Sequence, residues 1–124
     1  MKSENKNTIL DFGKYRGQTV ETVAARNIAY LQWCLWNRER LDLDVIAQFE
    51  QAIKTITEQR FPGYGEGDEV PVLFPNGQNE GMPVRWCARN DLSYTLWFYR
   101  KIREHDSPLC RAIKSALDEV GVKV

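Results

Sequence analysis

The feature that most constrains the fold is an internal repeat at an offset of 64 residues. Without a gap, this shift aligns two glycines with two glycines and a Tyr-x-x-Trp pair with another. The matched pairs are Gly13/Gly77, Gly17/Gly81, Tyr30/Tyr94 and Trp33/Trp97, together with Val20/Val84, Ala24/Ala88, Asp42/Asp106 and Ala52/Ala116. Two amphipathic helices can always be aligned in some register, but that explains the glycines less easily. The repeat therefore predicts two copies of one small supersecondary unit.

The repeat also sets the predicted boundaries. They are a first unit over residues 1–61, a glycine-rich acidic linker over 62–71 and a diverged second unit over 72–124. Short strands are expected at 8–12 and 18–20, around a loop whose terminal glycines can supply positive φ. Equivalent strands are expected at 70–74 and 82–84. The predicted fold class is therefore α+β, with two tandem pseudo-repeats, each a β-hairpin followed by two or three helices.

Helices are expected after each hairpin. In the first unit they begin near Glu21, at Tyr30 and at Asp42 or Asp44, since aspartate is a favourable N-cap residue. In the second unit, Ser107-Pro108 marks the start of the last helix, because proline is tolerated at the first helical position. Apolar residues in the last helix of each unit follow the i, i+3, i+4, i+7 spacing of one buried face.

Composition limits the classes of function. The chain has 124 residues, 43% hydrophobic and 27% charged, which are ordinary globular values. Its 17 basic and 17 acidic residues cancel, so any contact with nucleic acid must come from a local patch. There is no apolar run of about 20 residues and no apolar segment near the start. The expected protein is soluble and cytoplasmic, with no membrane contact.

Metal and catalytic chemistry are not indicated. The three cysteines (Cys34, Cys87 and Cys110) and the single histidine (His105) are scattered and form no close pair of the kind that zinc sites use. Buried free thiols are the expected state. No P-loop, strand-linked GxGxxG or HExxH motif is present. The sequence therefore predicts no catalytic residue, no metal, no cofactor and no enzymatic activity.

A family resemblance lies in segment 11–36. The block Phe12-Gly13-Lys14-Tyr15-Arg16-Gly17, followed by Tyr30, Leu31 and Trp33, resembles the small C-terminal domain of exodeoxyribonuclease X-like enzymes. It is also similar to the quorum-sensing-regulated virulence factor family of small bacterial proteins. The resemblance covers about the first half of the chain. It implies a DNA-processing context without nuclease activity, because the catalytic carboxylates of those enzymes lie in a separate domain.

Three groups of residues are candidates for binding. In the first loop, Lys14, Tyr15 and Arg16 suit phosphate contact and base stacking, unless the loop is only a solvated hairpin tip. The second group could line a phosphate track or form solvated helix faces, and comprises Arg85, Arg89, Arg100, Lys101 and Arg103. Trp36 and Trp86 have no aromatic counterpart in the repeat, which favours a surface contact. The recurring pairs Tyr30/Trp33 and Tyr94/Trp97 are expected in the core.

The sequence supports two hypotheses of function. The first is a non-enzymatic accessory module of DNA metabolism that binds nucleic acid, single strands above all, through the first hairpin. The resemblance favours a phage or mobile element as its source. The second is a protein-binding inhibitor or adaptor that docks on a host nucleic-acid-processing enzyme. The sequence leaves the target and any homo-oligomer open.

Overall fold

The computed structural model describes residues 8–37 and 41–124, and these ranges contain six α-helices and no strand. The helices are α1 (Val20–Arg26), α2 (Ile28–Asn37), α3 (Leu43–Arg60), α4 (Val84–Asn90), α5 (Leu92–Ile102) and α6 (Pro108–Glu119). The predicted α+β class is therefore wrong. None of these described helices is long and apolar enough to cross a membrane.

Each predicted hairpin is reduced to a single antiparallel bridge, Ile9 with Thr19 and Leu73 with Pro83. The second strand cannot extend because a helix begins at the next residue. Thr19 is the N-cap of α1, and its hydroxyl accepts a hydrogen bond from the Thr22 N–H at 3.1 Å. Pro83 precedes α4 and has no N–H to donate to a strand ladder.

The loops between the bridge partners have the same backbone geometry in both halves. The Gly17 N–H donates to the Leu10 carbonyl, and the Gly81 N–H donates to the Phe74 carbonyl, both at 2.8 Å. As predicted, the loop glycines adopt positive φ, between 74° and 91°; they are Gly13, Gly17, Gly77 and Gly81. One bridge followed by three helices thus recurs at the offset of 64 residues, while the domain boundaries stay a prediction.

The described helices enclose two apolar clusters, one in each half. Phe49 and Ile53 of α3 are fully buried in the first cluster, and Ile113 and Leu117 of α6 are fully buried in the second. Leu73 precedes the second loop, yet it packs in the first cluster. The two halves are therefore packed against each other through this residue.

Gln32 fixes that crossing segment to α2. The side chain is 4% exposed; its amide nitrogen donates to the Pro71 carbonyl and its amide oxygen accepts from the Leu73 N–H, both at 2.8 Å. A buried amide is favourable only when its polar atoms are hydrogen-bonded, as these are. The entry into the second half is thus set by a side chain of the first.

The glycine-rich segment after α3 folds back onto that helix. The Glu58 carboxylate accepts hydrogen bonds from the Gly63 N–H at 2.9 and 3.0 Å and from the Gly65 N–H at 3.0 Å. These hydrogen bonds lower the pKa of Glu58, and the bond from Gly63 has the largest effect. A Cβ at Gly65 would meet the α3 backbone at Lys54 and Glu58. The start of the predicted linker is therefore anchored to the helix.

All three cysteines are buried thiols that form no disulfide, as predicted. Cys87 is fully buried beneath the second loop, where Asn79 donates a hydrogen bond to its sulfur at 3.6 Å. Burial, together with the nearby Asp91 carboxylate, raises the pKa of Cys87 to about 12. Within the described ranges no group of three or more His, Cys, Asp or Glu side chains could hold a metal ion.

We expect a thiol reagent at neutral pH to label these cysteines slowly in the native protein and rapidly in denaturant. The thiolate is the reactive form, and burial suppresses both its formation at Cys87 and its access to the reagent. The measurement is the time course of labelling, with the site read by peptide mass. Rapid native labelling of Cys87 would contradict this assignment.

Candidate nucleic-acid interface

The first loop presents two cations to solvent. Lys14 and Arg16 are exposed, and neither forms an ion pair with any residue in the described part of the chain. The Lys14 ammonium lies 5.5 Å from the centroid of the Tyr15 ring, close to the outer limit of a cation–π contact. Both charges are therefore available to an anionic ligand such as a phosphate.

Tyr15 lies between these cations but is held by the fold. Its hydroxyl accepts a hydrogen bond from the Asn27 side-chain amide at 3.1 Å, and its ring meets Tyr30 edge-on at 4.9 Å between centroids. The side chain is half-buried against the first core. Tyr15 thus fixes the loop on α2 and offers only part of its ring to a base, so its role in stacking stays a prediction.

Trp33 provides a freer aromatic surface. It is 51% exposed, and it stacks on Tyr30 with ring centroids 6.0 Å apart and planes inclined by 24°. Trp97, the matching residue of the second half, is 52% exposed. The prediction that the recurring tryptophans lie in the core is therefore wrong, whereas Tyr30 and Tyr94 are half-buried and pack against the two cores.

The two tyrosines are half-buried, unlike the tryptophans, because each tyrosine makes a close contact with a loop glycine. A Cβ on Gly13 would overlap the Tyr30 hydroxyl, and a Cβ on Gly77 would lie 2.5 Å from the Tyr94 hydroxyl. The tyrosine therefore lies beneath the loop. The buried positions of α2 are Ile28, Ala29, Leu31, Gln32 and Cys34, so Trp33 lies outside that face and meets solvent. The exposure of Trp33 could have been recognised in the sequence from the i, i+3, i+4 spacing of Ile28, Leu31 and Gln32, which places these three residues on the buried face of α2.

We call the two loop cations and the rings of this region the loop–α2 surface: Lys14, Tyr15, Arg16, Tyr30 and Trp33. The ring contacts run from Tyr15 to Tyr30 to Trp33. Cations beside a stacked, exposed ring are the combination that proteins use to hold a single strand, with phosphates on the cations and a base on the ring.

The structure gives Trp36 and Trp86 different surroundings. Trp36 is 40% exposed and borders a cavity of about 200 Å³, whose other lining residues include Leu41 and Val70. Trp86 is half-buried and meets Phe61 at 5.1 Å between ring centroids. Trp36 therefore keeps a free apolar surface, whereas much of Trp86 is used to pack α4 against the end of α3.

The predicted second basic group separates into two parts. Arg85 pairs with Glu119 at 3.1 Å, and Arg89 donates to the Tyr64 hydroxyl at 3.3 Å. Both guanidinium groups also lie within about 6 Å of the Tyr64 ring, at 5.8 and 6.0 Å. These two arginines are thus engaged in intramolecular contacts that hold the segment after α3.

The other part lies at the C-terminal end of α5. Arg100, Lys101 and Arg103 are exposed, and none forms an ion pair with another described residue. The Lys101 ammonium lies 4.9 Å from the centroid of the Trp97 ring. Cations at this end of a helix are also favourable to the helix itself, because they offset its negative dipole.

Comparison with known proteins locates one relationship. A family model described as exodeoxyribonuclease X-like C-terminal matches residues 10–39, which confirms the resemblance inferred from the sequence. The matched segment begins just before the first loop and extends through α1 and α2, so it contains the whole loop–α2 surface. No significant match to the chain was found among curated proteins or among solved structures.

Proposed function

We propose that this protein is a non-enzymatic accessory module of DNA metabolism that binds single-stranded nucleic acid through the loop–α2 surface. The match of residues 10–39 to the exodeoxyribonuclease X-like C-terminal model supports the link to DNA metabolism. The observation that supports binding is the exposed pair Lys14 and Arg16, neither of which forms an ion pair with another described residue. They lie on the loop of Tyr15, whose ring is linked through Tyr30 to the exposed ring of Trp33.

Single strands suit this surface better than duplex. A base can stack on Trp33 only if one face of that base is uncovered, whereas bases in a duplex are stacked on both faces. The balanced charge of the chain favours a local contact of a few phosphates over the long basic track of a duplex-coating protein. The non-enzymatic part of the proposal rests on the matched model being a C-terminal domain; degradation of DNA by purified protein with magnesium would contradict it.

We expect Lys14→Ala combined with Arg16→Ala to weaken binding and to reduce its dependence on salt. Each cation that contacts a phosphate of a single strand releases about 0.7 of a counterion, so losing two should lower the slope of log K against log salt by roughly 1.4. The measurement is fluorescence anisotropy with a labelled oligothymidylate over a series of salt concentrations.

The second half supplies a matched control for this prediction. Gln78→Ala with Glu80→Ala changes the equivalent positions of the second loop, which carry no positive charge, and should leave the slope unchanged. Both variants should unfold at nearly the wild-type temperature, since exposed loop substitutions usually alter stability by only about 0.5 kcal/mol. Absence of any affinity for nucleic acid in the wild-type protein at low salt would refute the proposal.

A protein-docking inhibitor or adaptor remains the second candidate. The observation that favours it is the exposed apolar surface of Trp36 beside the cavity that Leu41 and Val70 line. Among the described residues, no lysine or arginine lines this cavity. A host nucleic-acid-processing enzyme captured by the wild-type protein but not by Trp36→Ala, in the absence of nucleic acid, would favour this function over the first.

A further inference from the structure

A second exposed tryptophan occupies the equivalent place in the second half. Trp97 is 52% exposed and rests against Tyr94 at 5.6 Å between ring centroids, as Trp33 rests against Tyr30 at 6.0 Å. Leaving a large apolar ring half-exposed forgoes much of the favourable free energy of its burial. Both halves nevertheless keep this ring exposed at the same position of the repeat.

Both halves also carry exposed cations in the unit that bears this ring, but the cations come from different elements. In the first half the cations come from the loop, at Lys14 and Arg16. In the second half the equivalent loop positions are Gln78 and Glu80, so the loop provides no positive charge.

The cations of the second half come instead from α5. Arg100 and Lys101 follow Trp97 by three and four residues, which are neighbouring positions on one helix face. Lys101 lies over the ring itself, at 4.9 Å from its centroid. The equivalent positions of the first half are Trp36 and Asn37, which are uncharged.

We propose that Trp97, Arg100 and Lys101 form a second contact for the same single strand, the α5 surface, distinct from the loop–α2 surface. One base stacks on Trp97, while Arg100 and Lys101 meet the flanking phosphates. The choice of a nucleic-acid strand rests on charge: Arg100 and Lys101, which form no ion pair with another described residue, follow Trp97 on one face of α5. The second half thus carries this positive charge although its loop provides none. The proposal rests on the proposed function of the first surface.

Two contacts on one chain predict a dependence on strand length. A strand long enough to reach both surfaces binds the second one as an intramolecular step, which raises affinity without any new contact. A strand that covers only one surface gains nothing from the other beyond an alternative place to bind. The dependence of affinity on strand length therefore distinguishes two roles for the α5 residues: a second binding surface, or structural support for the first surface.

The test compares two labelled oligothymidylates, one of about 6 nucleotides and one of about 30, in fluorescence anisotropy at low salt. Trp97→Ala with Lys101→Ala should raise Kd for the long strand at least about tenfold, and for the short strand at most about twofold. In a protein that already carries Lys14→Ala and Arg16→Ala, the same two changes should abolish the remaining affinity for the short strand.

The control removes the same kinds of side chain from elsewhere in the second half. Leu92 is 37% exposed and Lys114 is exposed on α6, so Leu92→Ala with Lys114→Ala should leave both affinities unchanged. If the Trp97 variant unfolds, Arg100→Glu tests the same surface from an exposed position, and it should likewise raise Kd for the long strand at least about tenfold.

The possible failures are distinguishable. Loss of affinity in the Lys14/Arg16 variant, with no effect of the Trp97/Lys101 changes at either length, would overturn the α5 surface and leave the first surface standing. An equal loss for short and long strands would also overturn it, because the residues would then only support the first surface. A wild-type protein that binds neither strand would refute the proposed function itself.

Discussion

Gly77→Ala should lower the free energy of unfolding by about 2–5 kcal/mol, one of the largest effects of any single methyl group in this chain. Gly77 has φ of 87°, in the left-handed region, where an L-residue costs about 1–2 kcal/mol. The new Cβ would also lie 2.5 Å from the Tyr94 hydroxyl, and relieving such an overlap in a packed region typically costs about 1–3 kcal/mol. Urea denaturation measures the sum.

Two matched variants separate these contributions. Gly17 has φ of 91°, and a Cβ added there would have no neighbour within 4 Å, so Gly17→Ala should show the backbone cost alone. The Tyr94 hydroxyl is buried and has no hydrogen-bond partner in the described part of the chain, so Tyr94→Phe should cost little by itself. Combined with Gly77→Ala, it should recover the steric part. A double variant no more stable than Gly77→Ala would show that the hydroxyl contact is unimportant.

The repeat of the glycine–tyrosine contact explains why part of the fold can be predicted from the sequence. Glycines at fixed spacing can be recognised because few other residues adopt positive φ, and Ser107-Pro108 can be recognised as a helix start because its chemistry is local. Ser107 indeed caps α6, accepting from the Cys110 N–H at 3.1 Å. Structural features that depend on only a few neighbouring residues can thus be predicted from the sequence.

The predicted strands are wrong because strand formation depends on the helix that begins directly after each loop. Short β-branched and apolar stretches beside a glycine loop suit a hairpin, yet a strand needs a partner of several residues. Thr19 ends the pairing by capping α1, and Pro83 ends it before α4. In each half a single residue, Thr19 or Pro83, both pairs with the opposite segment and directly precedes a helix. Because the helix forms, each predicted hairpin is reduced to one bridge.

The site can be predicted only in part for a similar reason. Lys14 and Arg16 are exposed on the loop where the sequence places them, since charged loop residues are rarely buried. The exposure of Trp33 is missed because its recurrence at Trp97 suggests a shared packing role. Recurrence indicates only that the position matters in both units; which face of α2 meets the core depends on tertiary contacts such as that of Gln32 with the chain before the second loop.

Trp33→Ala should lower the affinity for single-stranded DNA by about 1–3 kcal/mol, with a much smaller effect on duplex, if the ring stacks on a base. Trp33 is 51% exposed and its main ring contact is with Tyr30, so the folded state should survive its loss. The measurement is the Kd for an oligothymidylate and for a duplex of equal length, in the same low-salt buffer.

Two further substitutions test whether stacking is the cause. Trp33→Phe keeps an aromatic face and should retain much of the affinity, whereas Trp33→Leu keeps apolar bulk without a ring and should behave like the alanine variant. Tyr15→Ala should differ from both: because Asn27 and Tyr30 hold that ring, its loss should lower the free energy of unfolding as well as the affinity. Equal affinities for the Phe and Leu variants would show that Trp33 contributes apolar contact and not base stacking.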